Sequence, residues 1–473
     1  MNDKEKEAIR KIGENARKVL EIIRERKNKE KRNGEIIYTD GGKEIIEYGI
    51  TTINEDTFYR KRDLVFGQRD IAGIVLPNSV ETIGKKAFYG YGKLERIEIP
   101  NSVTEIKEYA FCGCDMLVGL ELPNSIRKLD GFAHCTSLES LKIPNTVTEI
   151  CCNAFSGCTS LKSVDIPKSV NKIDGNPFPG CSPQFNVSPE NENYMVVDGS
   201  LYTIDGRTIV SYIPKENETH FSVPKGVTTI GQGAFSSQMS LESVDIPGSV
   251  SRIKNAAFHM CKNLKTVNIQ EGVTSLGVYA FGSCESLESI TLPKTVTKVD
   301  TAAFSECKNL ESITIKGDIT KIEGFTFNDC EKLKSVNIPE SVTEVGVLAF
   351  AYCKSLESIE LPGGVAKIGD DAFKSCESLK SFTIPHGVTE ICEQTFHECK
   401  NLLRLTIPSS VTKIGRSALG FTGIEEIYFC GKREELEKLE IDKWNYSMYS
   451  EKRRKIYYKG LFGYKLYRGV LKI

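Results

Sequence analysis

The sequence predicts a repeat solenoid, mainly β, of about fifteen 23-residue coils with an N-terminal helix and a C-terminal cap. Three observations carry this. A marker phenylalanine recurs at Phe235, Phe258, Phe281, Phe304, Phe327, Phe350, Phe373 and Phe396, each step being 23 residues. A strand-like pattern precedes each marker. A cysteine follows most markers three residues later. Repeats at such a period are units that cannot bury their apolar face alone and must stack to do so.

The marker series extends in both directions. Leu419 continues it, and Phe88, Phe111, Phe132, Phe155 and Phe178 precede it at steps of 23, 21, 23 and 23. Phe58 is a degenerate first member, which makes fifteen units. From Phe178 to Phe235 is 57 residues, one repeat plus an insertion of 34. Within one coil, Leu161, Val164 and Ile166 keep the L-x-x-L-x-L spacing, and Val164 and Ile166 alternate at period two, which reads as a short half-buried strand. Pro167 ends the strand because proline donates no ladder hydrogen bond. Twelve of the 17 prolines share that register, so the stop is built into the repeat. A second short strand follows, as in Val411 to Gly415, whose glycine suits a turn of positive φ. The pattern predicts a strand at every L-x-S-V/I-x-I.

The unit I-P-x-S-V-T-x-I-G-x-x-A-F-x-x-C-x-x-L-x-S-V resembles the BspA-type leucine-rich repeat family, and Ile338 to Leu361 is a near-ideal copy. The resemblance covers about residues 50–430. It implies a leucine-rich repeat solenoid and a protein that binds other proteins, often at a bacterial or protist cell surface. Asn191 to Pro214 also looks like the family's hairpin insertion. Its Asp198-Gly199 and Asp205-Gly206 are turn signals between strand-like runs.

The domain reading is as follows. Residues 1–33 form a charged amphipathic helix, in which Ile9, Ile12, Ala16, Val19 and Ile23 keep heptad spacing. It either caps the first coil or forms a short coiled-coil dimer. Residues 34–76 hold an N-terminal cap and the degenerate first repeat. Residues 77–423 are the solenoid, with a hairpin insertion at 182–222. Residues 424–473 are a C-terminal cap with a basic tail.

Composition excludes several classes. Charged residues make up 26% and hydrophobic residues 40%, ordinary for a globular chain and unlike a disordered one. No apolar run is long enough to span a membrane, and the charged start Met1 to Lys11 lacks the apolar stretch of a secretory signal. A cytoplasmic location is expected, with non-classical export to the cell surface as the alternative. Residues 1–33 carry 12 basic and 7 acidic groups and residues 451–473 carry 8 and 1, so the remainder holds −13 of a total of −1. The basic ends, Lys452 to Lys455 above all, make nucleic-acid or anionic-membrane association the alternative partner class.

Eleven of the 16 cysteines sit three residues after a marker, from Cys114 to Cys399, one per coil. They read as reduced, buried, small hydrophobes. Neither they nor the five histidines have metal-ligand or nucleophile spacing. Expected are no enzyme activity, no catalytic residue, no metal and no cofactor.

The residues between a strand's apolar positions should face outward. The candidate partner-binding face is Ser289, Thr291, Ser312, Thr314, Ser335, Asn337, Ser358, Glu360, Ser381 and Thr383. Just before these columns runs a charged row, Glu242, Lys265, Glu288, Glu311, Lys334, Glu357 and Lys380, whose opposite signs can pair between coils. The function expected is a protein–protein interaction scaffold, with a surface adhesin as the alternative. A monomer is favoured.

Overall fold

The computed structural model describes residues 32–57, 71–445, 455–460 and 463–467. The expected N-terminal helix, the marker Phe58 and the basic residues 452–454 lie outside the described residues. The chain forms two compact units, divided between Asp198 and Gly199. Each is a stack of β coils.

In both units a coil has three sides. The first is the predicted strand, paired in parallel with its neighbours at a fixed register. In the first unit Ser140 pairs with Gly119 and Ser163, and Ser163 with Gln184. In the second unit the ladder runs through His220, Ser243, Thr266, Ser289, Ser312 and Ser335. Proline then turns the chain, its carbonyl accepting from the valine three residues on, as in Val250 N–H to Pro247 (3.0 Å). The second side is a ladder of two- or three-residue strands such as Lys172–Asp174 and Lys321–Ile322.

The third side is made of turns. Around each marker, alternate N–H groups donate up the stack and back within the coil. Ala302, Phe304 and Glu306 donate to Gly324, Thr326 and Asn328 of the next coil at 3.0, 3.0 and 2.7 Å. Between them, Ala303, Ser305 and Cys307 donate three residues back. This alternation places the residues two before and two after the marker in the left-handed region, as at Ala302 (φ 57°) and Glu306 (φ 61°). A non-glycine residue there costs on the order of 1 kcal/mol. The inter-coil bonds offset it.

The core is a set of columns. Marker rings stack at 4.7–5.9 Å from Phe235 to Phe396 and at 5.0–5.6 Å from Phe88 to Phe178. Every one of these rings is at most 1% exposed. Tyr212 occupies a marker position too. It lies 23 residues before Phe235, stacks on it at 4.6 Å and donates its N–H to Ala234. That raises the fifteen turns to sixteen. The polar ring and the absence of a preceding alanine hid it.

Two expectations need correcting. Gly415 does not adopt positive φ. A Cβ there would lie 3.0 Å from the backbone of Cys392 and Glu393, so glycine serves close approach between coils. Ser358 to Glu360 is not a strand, although its spacing fits; the ladder stops at Ser335–Asn337 and resumes at Ser381–Thr383. The cysteine column is free and buried as expected, and it has an added role. Each thiol lies 2.9–3.3 Å from the marker carbonyl of the preceding coil, Cys307 to Phe281 for example, so it is a donor as well as an apolar filler.

Elsewhere the repeat gives way. Gly34–Tyr38 pairs antiparallel with Lys43–Ile46 and with Ile71–Val75, which starts the parallel stack. Ser200–Thr203 and Thr208–Ser211 form an antiparallel hairpin. Lys455–Gly460 pairs in parallel with Glu426–Phe429 and turns back on Gly463–Leu466. A single helical turn, Arg433–Leu436, begins the last coil's connection.

Candidate functional site

The strand pleat sends alternate side chains inward and outward. All ten candidate residues, Ser289 through Thr383, are accordingly exposed, while Ile290, Ile313, Val336, Ile359 and Phe382 between them are buried. The register brings Ser289, Ser312 and Ser335 into one row and Thr291, Thr314 and Asn337 into the next. Ser381 and Thr383 instead pair with Arg404 and Thr406. Asn337 has an added role: its side chain donates to Ile315 O (3.0 Å) and accepts from Ile315 N–H (2.9 Å), so it is partly committed to the fold.

The charged row beside this face is largely neutralised. Lys265 meets Glu242 at 2.9 Å, Lys334 meets Glu311 at 2.7 Å and Lys380 meets Glu357 at 2.8 Å. Exposed pairs of this kind add little to stability, because water and salt screen them. Their consequence is a face with short hydroxyls at its centre and paired charges along one edge.

Sequence reasoning missed the start of this row. His220 stands 23 residues before Ser243 and in register with it. Its Nδ1 lies 2.8 Å from Ser243 Oγ. Its Nε2 lies 3.1 Å from Ser222 Oγ and 3.4 Å from Asp245 Oδ2. The residue types are those of a hydrolytic triad, but Nε2 is shared between a hydroxyl and a carboxylate. The group also lies half-exposed on an open sheet, where water weakens its electrostatics. Adding one period to Ser243 would have found it. Large apolar side chains also surface on the turn side, where Tyr279 and Phe325 are 42% and 37% exposed at the left-handed position. No glycine marks that position in these coils, so the sequence carried no signal.

Burial pushes the Cys261, Cys307 and Cys399 thiols up to about 12, far from the thiolate a nucleophile or metal ligand requires. Among the described residues no group of three or more His, Cys, Asp or Glu could hold a metal ion, and no helix is long and apolar enough to cross a membrane.

Parallel coils, a leucine column under a short strand and a polar outer row define a leucine-rich repeat solenoid. The model of the BspA type leucine rich repeat region matches in six copies over residues 51–184, 212–334 and 320–441, and the chain belongs to that family. No curated protein matches it. Among solved structures it is similar to a leucine-rich repeat protein from Eubacterium ventriosum, 22% identical with a TM-score of 0.55 over 83% of this chain and 93% of that one. That likeness shows the fold alone. It is also similar to a leucine-rich repeat protein from Bacteroides ovatus, 25% identical with a TM-score of 0.42 over 87% and 97% of the two chains. A leucine rich cell surface protein from Faecalibacterium prausnitzii is 25% identical, with a TM-score of 0.40 over 87% and 96%.

Proposed function

We propose that this chain is a non-enzymatic interaction scaffold that receives a protein partner on the strand face of its second unit. Leucine-rich solenoids generally serve as protein-interaction scaffolds. The finer reading rests on one observation: the ten side chains from Ser289 to Thr383 are polar, all exposed on one side and, but for Glu360, short. Their size lets a partner backbone approach the sheet closely. Each hydrogen bond contributes about 0.5–1.5 kcal/mol, so affinity accumulates over several coils and a single alanine change does little.

The test replaces Ser312 and Thr314 with arginine together, after the partner is recovered by affinity capture from the native cell. Melting should match wild type, because both side chains point to solvent. Binding should fall more than about tenfold, or 1.4 kcal/mol. A double variant that folds and binds like wild type rejects this face. Affinity that collapses steeply with salt would reassign the partner to nucleic acid or anionic lipid.

We propose a cytoplasmic location, with non-classical export to the cell surface as the alternative. Eleven thiols sit on carbonyls of the fold in a way that pairing as disulfides would remove. Titration of thiols in the denatured native protein should recover nearly all 16; recovery of only a few would move it to an oxidising compartment.

A further inference from the structure

One coil of the first unit breaks the period. Between Leu129 and Phe132 stand only Asp130 and Gly131, whereas Lys107, Glu108, Tyr109 and Ala110 fill the same stretch before Phe111. The core ignores the loss: Phe132 still stacks on Phe111 at 5.0 Å and on Phe155 at 5.6 Å. The turn side cannot ignore it. Two residues are missing from its outer wall, and a cavity of about 510 Å³ opens there. That is within the ordinary range for ligand sites.

Two features of this notch point to its occupant. In ten other coils the N–H two residues before the marker donates to a carbonyl of the next coil, as Lys86 does to Glu108 (3.3 Å) and Ala256 to Val278 (2.7 Å). Tyr109 holds that position beside the gap. Among the described residues no carbonyl accepts from its N–H, because the deletion removed the one that would.

The second feature is charge. The three lysines of the wall are already held: Lys85 by Glu108 (2.8 Å), Lys107 by Glu105 (3.7 Å) and Lys128 by Glu149 (3.3 Å). Asp130, half-buried in the wall, makes no ion pair among the described residues. Its carboxylate accepts from the adjacent Gly131 N–H (2.7 Å) and from the Cys151 thiol, neither of which carries a positive charge. Gly131 cannot be a spacer for a missing side chain: it is left-handed (φ +94°), and a Cβ would meet Lys107 O at 2.6 Å.

We propose that this notch binds a basic residue of a peptide or protein loop, whose backbone carbonyl accepts from Tyr109 N–H and whose side-chain cation pairs with Asp130. One residue supplies both groups the gap lacks, an acceptor and a positive charge. A half-buried carboxylate gives a charge-assisted bond stronger than one on an open surface. This site lies on the turn side of the first unit and does not rest on the strand-face reading.

The experiment titrates the full chain by calorimetry with acetyl-Gly-Arg-Gly-amide, with the same peptide carrying citrulline, and with agmatine. The arginine peptide should bind with a Kd on the order of 1 mM or tighter, at least tenfold better than the citrulline peptide, whose side chain is uncharged. Agmatine, which lacks the peptide carbonyl, should be weaker than the arginine peptide. Asp130→Asn should cost at least tenfold while folding normally. Replacing Gly131 with Glu-Tyr-Ala restores the 23-residue coil, keeps Asp130 and should abolish binding without lowering the melting temperature. Equal binding of the arginine and citrulline peptides, undiminished binding by Asp130→Asn, tighter binding of agmatine, or no binding by any probe overturns the proposal.

Discussion

The short coil of the first unit and the unbroken run from Phe258 to Leu419 in the second differ by two residues. From Phe258 to Phe396 alternate turn N–H groups reach carbonyls of the next coil, and each thiol reaches a marker carbonyl. In the short coil the marker and thiol columns continue, with Cys135 on Phe111 O (3.2 Å) and Cys158 on Phe132 O (3.1 Å). The turn ladder loses one rung, at Tyr109, while Phe111 and Gly113 still donate to Gly131 and Ala133 (2.7 and 3.0 Å). The difference teaches that the interior columns and the outer turn side are separable. Columns hold the stack, so a change confined to the turns can open a site without a cost in the core.

The largest expected effect tests this separation directly. Phe304→Ala and Phe132→Ala should each cost about 3–5 kcal/mol, since both rings are fully buried between two neighbours. If Phe132→Ala cost much less than Phe304→Ala in denaturant melts, the deletion would have loosened the core as well. The two units would then differ in packing and not only in surface.

Where the sequence was legible follows the same line. The columns repeat one chemical type at one spacing, so Phe304, Cys307 and Ile313 announce their places. The outward rows vary, and their members were found only by counting from the columns; Ser312 and Thr314 were reached that way, while His220 was passed over because it is not a hydroxyl. Turn geometry left almost no trace. The left-handed positions hold Ala302, Phe325, Leu348 and Asp371 in successive coils, since the inter-coil hydrogen bond there uses backbone alone. Phe325, Leu348 and the rest would be read as ordinary residues by any propensity argument. The shortened step from Phe111 to Phe132 was visible as a count, but not that it would leave Tyr109 N–H facing a gap.

A smaller effect concerns how the columns satisfy backbone carbonyls. Gln238 stands where eleven coils carry cysteine, and its Nε2 donates to Tyr212 O at 3.1 Å just as the thiols donate to phenylalanine. An amide is the stronger donor. Gln238→Ala should therefore cost about 1–3 kcal/mol by leaving a buried acceptor unpaired, and Cys307→Ala about 1 kcal/mol or less beyond its lost volume. Urea midpoints for the two variants compare them. Equal losses would mean that the thiol bonds are as strong as the amide bond, and that the column is a hydrogen-bonded ladder first and an apolar one second.

The smallest effect is one of sign, and it sets the two regions against each other. Burial, helped by the nearby Glu108 charge, raises Asp130 above the ordinary 3.8 of an aspartate, with the Gly131 N–H, the Cys151 thiol and more weakly Lys128 acting the other way. Lys321 and Lys367, each 2.8 Å from Glu344, hold that carboxyl below its ordinary 4.5. For Asp130 the folded state binds the proton more tightly than the unfolded state, so stability falls as pH rises from the unfolded pKa through the folded one. For Glu344 the folded pKa is the lower of the two, so its contribution is present above the unfolded pKa and is lost as pH falls through the folded value. Asp130→Asn should therefore gain on wild type between about pH 4 and pH 7, whereas Glu344→Gln should lose ground over the same window. Glu344 is a quarter exposed and its lysines at least half, so its part is a few tenths of a kcal/mol and shrinks with salt. Urea melts of both variants at the two pH values decide the matter. If Asp130→Asn moved in the same direction as Glu344→Gln, Asp130 would already have a cation beside it, and the notch would have no charge left to offer.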